Sequence, residues 1–262
     1  MPLLENLDEF KGVAAWTQWA IFIVGCLIAV VALVSIGVSI WLAIKYVTYN
    51  RRTNSRNLSG AEAARIILDK NGLQNIKVSV VGSLMFGNSY SHYFHKVRIR
   101  RLTNKKPSIT SLAMGAEKSA LAILDKEGDK DMKTRVALTP LIYFGPLAFI
   151  PIIAIGVIID ILLFGFGGVV TAISAILGLG IYVVSFILSI STLKTEVKAQ
   201  ARACDILKQE DMATDEEIDM MKELFKLYNI QYINDIILEF LQMILKVLEI
   251  IAKMQQNSSS NN

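Results

Sequence analysis

Long stretches without a single charged side chain limit what this chain can become. From Ala20 to Ile44 no residue is charged, and at about 1.5 Å of rise per residue such a helix covers a hydrocarbon core of about 30 Å. A second uncharged run covers Val136 to Ile159, and beyond Asp160 a third runs from Ile161 to Leu193. The last two together are too long for one span. Gly165, Gly167 and Gly168 mark a tight turn between them, predicting a hairpin with arms near 141–163 and 169–191. The hydrophobic fraction of 53% follows from these runs and exceeds that of an ordinary soluble domain. Pro140, Pro146 and Pro151 fall in or before the first arm. Each removes a helical hydrogen bond, so a packed bundle is expected rather than isolated spans.

Basic residues predict the orientation. Lys45, Arg51, Arg52 and Arg56, then Lys96, Arg98, Arg100, Arg101, Lys105 and Lys106, lie between the first span and the hairpin, whereas Glu5, Asp8 and Glu9 make the N-terminal segment acidic. Cationic loops stay on the cytoplasmic side. The first run is therefore expected to be an uncleaved anchor with its N-terminus outside, in a multi-pass protein of the cell membrane. The middle region is expected in the cytoplasm, and the hairpin returns the segment after Leu193 to the same side. Cys26 within the span and Cys204 beyond the hairpin are not expected to form a disulfide.

The fold class predicted is mainly α and integral to the membrane, in five parts. These are an N-terminal segment with the first transmembrane helix (1–44), a small cytoplasmic α/β region (45–135), a transmembrane hairpin (136–193), a C-terminal helical region (194–254) and a disordered tail (255–262). Ser59 with Glu62 fits a capping box opening a helix to Lys70, stopped at Asn71-Gly72. Partial alternation predicts strands over 76–81 and 94–99. A further helix is expected from Pro107-Ser108 through Leu124, ending by Gly128. Beyond the hairpin, helices are expected over 191–208, from a Thr214–Glu217 capping box through Tyr228, and over 230–254. Asp235, Glu239, Gln242, Lys246, Glu249 and Lys253 form one polar stripe on the last of these, which favours an amphipathic packing helix over a fourth span, because central charges are costly in lipid.

The stretch from Tyr49 to Asp69, YNRRTNSRNLSGAEAARIILD, continues into Asn71-Gly72-Leu73, Tyr90, Lys96-Val97-Arg98-Ile99, the hairpin, Leu193, Glu196 and Arg202-Ala203. This order resembles the YugP-type membrane zinc metallopeptidases over nearly the whole chain. The resemblance implies an HExxH helix just before the hairpin. Two histidines four apart there share one helix face and hold zinc, while the glutamate activates the bound water. The matching residues here are Ala116-Glu117-Lys118-Ser119-Ala120, with alanine at both histidine positions. Glu196 matches the family's third ligand, a glutamate after the hairpin. An Asp-His-Tyr-Asp loop of the family corresponds to Asn88-Ser89-Tyr90-Ser91, which keeps only the tyrosine.

The chain's two histidines, His92 and His95, are three apart, so HExxH occurs nowhere in it. On a strand they would point to opposite faces, and they are expected to be surface or interface residues. Glu117 is expected on a solvated helix balanced by Lys118 and Lys126, and Glu196 to be solvated or to have a tertiary partner. Asp160, close to the glycine turn, is expected to reach the outer headgroups. No phosphate loop, nucleotide fingerprint or serine-nucleophile motif is present. The expected function is that of a catalytically inactive homologue, a pseudopeptidase that binds or scaffolds at the membrane with Ala116, Glu117, Ala120 and Glu196 as vestigial positions. No metal or other cofactor is expected. Membrane lipids and another membrane protein or a second copy are the expected partners, and nucleic acid is not. Two alternatives stand beside it: an active peptidase with a rebuilt metal site, and a small transporter or channel subunit resting only on the hairpin and Asp160.

Overall fold

The computed structural model describes residues 12–82, 87–164 and 168–260. They fall into two units, one of residues 12–40 and 230–260 and the other spanning Trp41–Asn229. Helix α1 (Ala15–Arg51) and helix α7 (Asp215–Ser260) each contribute one end to each unit.

In the larger unit, α2 (Gly60–Lys70) opens on the expected capping box: the Ser59 hydroxyl accepts from the Glu62 N–H, and the Glu62 carboxylate accepts from the Ser59 N–H at 2.8 Å. A three-stranded sheet follows, made of β1 (Lys77–Val81), β2 (Ser89–Ser91) and β3 (Lys96–Arg100) in the order β1-β3-β2. β1 runs parallel to β3 and β2 antiparallel to it. Val97 and Ile99 are fully buried, while Lys96 and Arg98 alternate to the other face. β2 was not legible in the sequence, because Ser-Tyr-Ser carries no apolar alternation. The two histidines bracket the turn joining β2 to β3, and His95, inside the strand expected over 94–99, lies instead just before β3 in the left-handed region at φ 43°.

After the short α3 (Arg101–Asn104), α4 (Ile109–Glu127) begins and ends where the sequence places it. Ser108 caps its start by accepting from the Ser111 N–H, and Gly128, at φ 72°, takes the left-handed cap position. The helix is buried on every face from Ile109 to Leu124. Its approach to α2 is close enough to require glycine: a Cβ on Gly115 would lie 2.2 Å from the Gly60 carbonyl oxygen.

The hairpin is formed by α5 (Lys130–Phe164) and α6 (Val169–Gln209), both extending well past the predicted arms. The expected separate helix over 191–208 is the continuation of α6, and α5 runs through Pro140, Pro146 and Pro151 without a break. Gly165 and Gly167 of the expected turn lie outside the described residues. Gly168, at φ 73°, precedes α6. Asp160 folds back onto the start of α6. It is buried, and its carboxylate accepts from the Val170 N–H (3.0 Å), the Thr171 N–H (2.7 Å) and the Thr171 hydroxyl (2.6 Å). It thereby satisfies the free amides at the start of α6, which have no helical acceptor of their own.

α7 is one helix where two were expected. The Thr214–Glu217 capping box is present, but no glycine or proline stops the chain near Asn229, whose side chain bonds to Gln200 instead of turning the backbone. In the smaller unit α7 runs antiparallel to α1. Gln255 accepts from the Ala14 N–H and the Thr17 hydroxyl, and Gln231 bonds to both Ser35 and Ser39. These hydrogen bonds join the two helices at both ends of their overlap. They also hold the helical turn at Gln255, in the segment expected to be disordered. Among the described residues, α1 and α6 are long and apolar enough to cross a membrane.

Candidate functional site

Three helices of the larger unit and the first part of α7 converge on the middle of α4. Ala116 and Ala120, four apart and so on one face, are both fully buried. Glu117 and Lys118 are buried as well, which overturns the solvated helix expected from the sequence. A helix enclosed on all sides leaves no face on which the pair can be hydrated, so it must be matched internally.

The match comes from residues distant in sequence. The Lys118 ammonium lies 3.0 Å from the Glu117 carboxylate and 3.1 Å from that of Glu196 on α6. The Arg135 guanidinium, from the first turns of α5, lies 2.6 Å from the other oxygen of Glu196. One α6 turn after Glu196, the Gln200 amide donates to Glu117 at 3.0 Å, and Gln200 and Asn229 of α7 exchange two further hydrogen bonds. Two carboxylates thus face two cations, and amides fill remaining positions. Burial pushes the Glu117 carboxyl up, against the pull of Lys118 and with the push of Glu196. Burial acts upward on Glu196 too, but Lys118 and Arg135 outweigh it and hold it at about 2. For Lys118 burial works against the charge, and the two carboxylates more than offset it, so the ammonium is retained.

Of the residues singled out in the sequence, Ala116, Glu117, Ala120 and Glu196 are brought to this one place, and Glu196 has the tertiary partners left open for it. Lys118 as the centre of the cluster was missed, as were Arg135, Gln200 and Asn229. A charged residue just before an uncharged run, as Arg135 is, was the one available signal.

His92 and His95 belong elsewhere. The His92 Nδ1 lies 2.6 Å from the Asp125 carboxylate, which also accepts from the Tyr90 hydroxyl at 2.6 Å. Asp125 follows Glu117 by about two turns of α4, about 12 Å along the axis. Burial and the Asp125 carboxylate keep the Tyr90 phenol protonated. The two imidazole rings are 6.0 Å apart. Among the described residues no three His, Cys, Asp or Glu side chains come together in a group able to hold a metal ion.

No curated protein and no solved structure matches the chain. A family profile does, that of the neutral zinc metallopeptidases, over residues 24–252. That span contains α2, the sheet, α4, the hairpin and the cluster between them, and the chain belongs to the neutral zinc metallopeptidase family.

Proposed function

We propose that the protein is a membrane-embedded, catalytically inactive member of its family that binds or scaffolds another membrane protein or a second copy. The observation carrying this reading is the Lys118 ammonium between Glu117 and Glu196. A catalytic zinc takes three protein ligands and keeps a fourth position open. Ala116 and Ala120 present methyl groups, and the two carboxylates already share a monovalent cation and Arg135. These residues do not fit the metal.

The membrane arrangement is part of the proposal. α1 and the α5–α6 hairpin cross the bilayer, with the N-terminus and the hairpin tip outside and the α2–α4 region in the cytoplasm, following the basic residues. The pairs Gln255–Ala14 and Gln231–Ser39 run α7 beside α1 for about 36 Å, enough to cover a hydrocarbon core of about 30 Å. The fourth span that the sequence disfavoured is therefore the better reading, and it puts the C-terminus outside beside the N-terminus.

Elemental analysis of the mildly purified protein tests the inactive reading, with zinc expected well below stoichiometry. In parallel, Glu117→Gln should leave cellular function intact, because without a metal-bound water there is nothing for a general base to activate. About one zinc per chain, or loss of function by Glu117→Gln in a folded and abundant protein, would show that the site is chemical.

A further inference from the structure

We infer that the turn between β2 and β3 is a second membrane contact, in which Tyr93 and Phe94 seat in the headgroup and upper acyl region of an anionic leaflet. The two aromatic side chains are adjacent at the tip and are 58% and 70% exposed. Their place is set by a specific bond: the Tyr93 hydroxyl donates to the Val136 carbonyl at 3.0 Å. Val136 is the first residue of the uncharged run in α5. The tip is therefore at the level where that helix leaves charged surroundings. A tyrosine ring with its hydroxyl satisfied, next to a phenylalanine, is the composition of an interfacial anchor.

The charge around the tip fits the same occupant. Arg98 lies over the Phe94 ring at 5.7 Å, and Lys96 lies on the same sheet face as Arg98, opposite the buried Val97 and Ile99. His95 is exposed beside them. Asp125 of α4 is engaged by Tyr90 and His92 on the side toward α4. Aromatic rings flanked by cations bind a surface that is apolar within and anionic at its boundary, which describes a leaflet carrying acidic phospholipid. The long basic side chains hold their charge at the phosphate level while the rings go deeper.

This inference rests on the hairpin crossing the bilayer. The test uses the full chain with Cys26 and Cys204 changed to serine, reconstituted in phosphatidylcholine vesicles with or without phosphatidylglycerol. A nitroxide is attached after Phe94→Cys, Ile158→Cys or Lys105→Cys, and its collision rates with oxygen and with an aqueous nickel chelate give its depth. Position 94 should favour oxygen, as position 158 does and position 105 does not. Phosphatidylglycerol should deepen it, and Lys96→Gln should remove that increment. A label at 94 that meets the chelate as freely as one at 105, while 158 remains in lipid, overturns the inference and leaves the hairpin reading standing. A water-exposed label at 158 overturns both.

Discussion

Replacing Lys118 by methionine separates a buried ion cluster from an ordinary surface network. The lysine side chain is 11% exposed and its partners Glu117 and Glu196 are 6% and 20% exposed, so water cannot take over the lost interactions. Glu196 retains Arg135, and the uncompensated charge falls on Glu117, which keeps only the Gln200 amide. Removing one partner of a buried pair costs about 3–5 kcal/mol. A ceiling follows independently: Glu117 can escape by taking up a proton, which for a carboxyl of ordinary pKa 4.5 costs about 3.4 kcal/mol at pH 7, at about 1.36 kcal/mol per unit. Together these give about 3 kcal/mol, a fall in melting temperature on the order of 10 °C for a chain of this size. The buried Cys204 thiol supplies the assay, since a thiol-reactive dye reports its exposure on heating in detergent once Cys26 is changed to serine. Lys208→Met, at an exposed pair with Asp215, should leave the melting temperature unchanged. Adding Glu117→Gln to Lys118→Met should recover most of the loss, because it removes the stranded charge. A Lys118→Met protein melting within a degree or two of the parent would refute the buried cluster.

Further outcomes follow from local geometry and topology. Gly115→Ala forces a methyl against the Gly60 carbonyl and should cost about 1–3 kcal/mol, seen as a lower melting temperature, whereas Gly25→Ala, with nothing within 4 Å, should not destabilise. Asp160→Ala strips the acceptor from the start of α6 and should lower the melting temperature more than Asp160→Asn, which keeps one amide oxygen. The Ser59 N–H and hydroxyl hold Glu62 below the usual carboxylate range. Its contribution is therefore complete above its ordinary pKa of 4.5 and lost as the pH falls through the lower folded value; melting curves of Glu62→Gln should be flatter over that window. An impermeant maleimide applied to intact cells should label cysteines introduced at positions 5 and 258 but not at 104, and the reverse pattern would invert the proposed topology.

The boundaries of α2 and α4 were legible because their signals are local. Ser59 with Glu62, Ser108, and Gly128 act within a turn of where they stand, so adjacent residues carry the information. The same holds for the uncharged runs and the family order. β2 and the continuity of α6 and α7 were not legible, since a three-residue polar strand exists only by pairing with β3 and a helix without a stop signal continues as far as its packing supports it.

The amino-acid sequence by itself determined that HExxH is absent, because the chain's two histidines, His92 and His95, are three apart and side-chain identity settles which donor atoms exist. Only the tertiary structure decided what surrounds Glu117 and Lys118. Lys118 is expected in water when read beside Lys126 and other polar residues, yet α4 is enclosed on all sides, and Glu196 and Gln200 reach its charged pair from α6, themselves held by Arg135 and Asn229. Burial is a property of the whole packed chain, and it turns a locally unremarkable lysine into the cation that two buried carboxylates require.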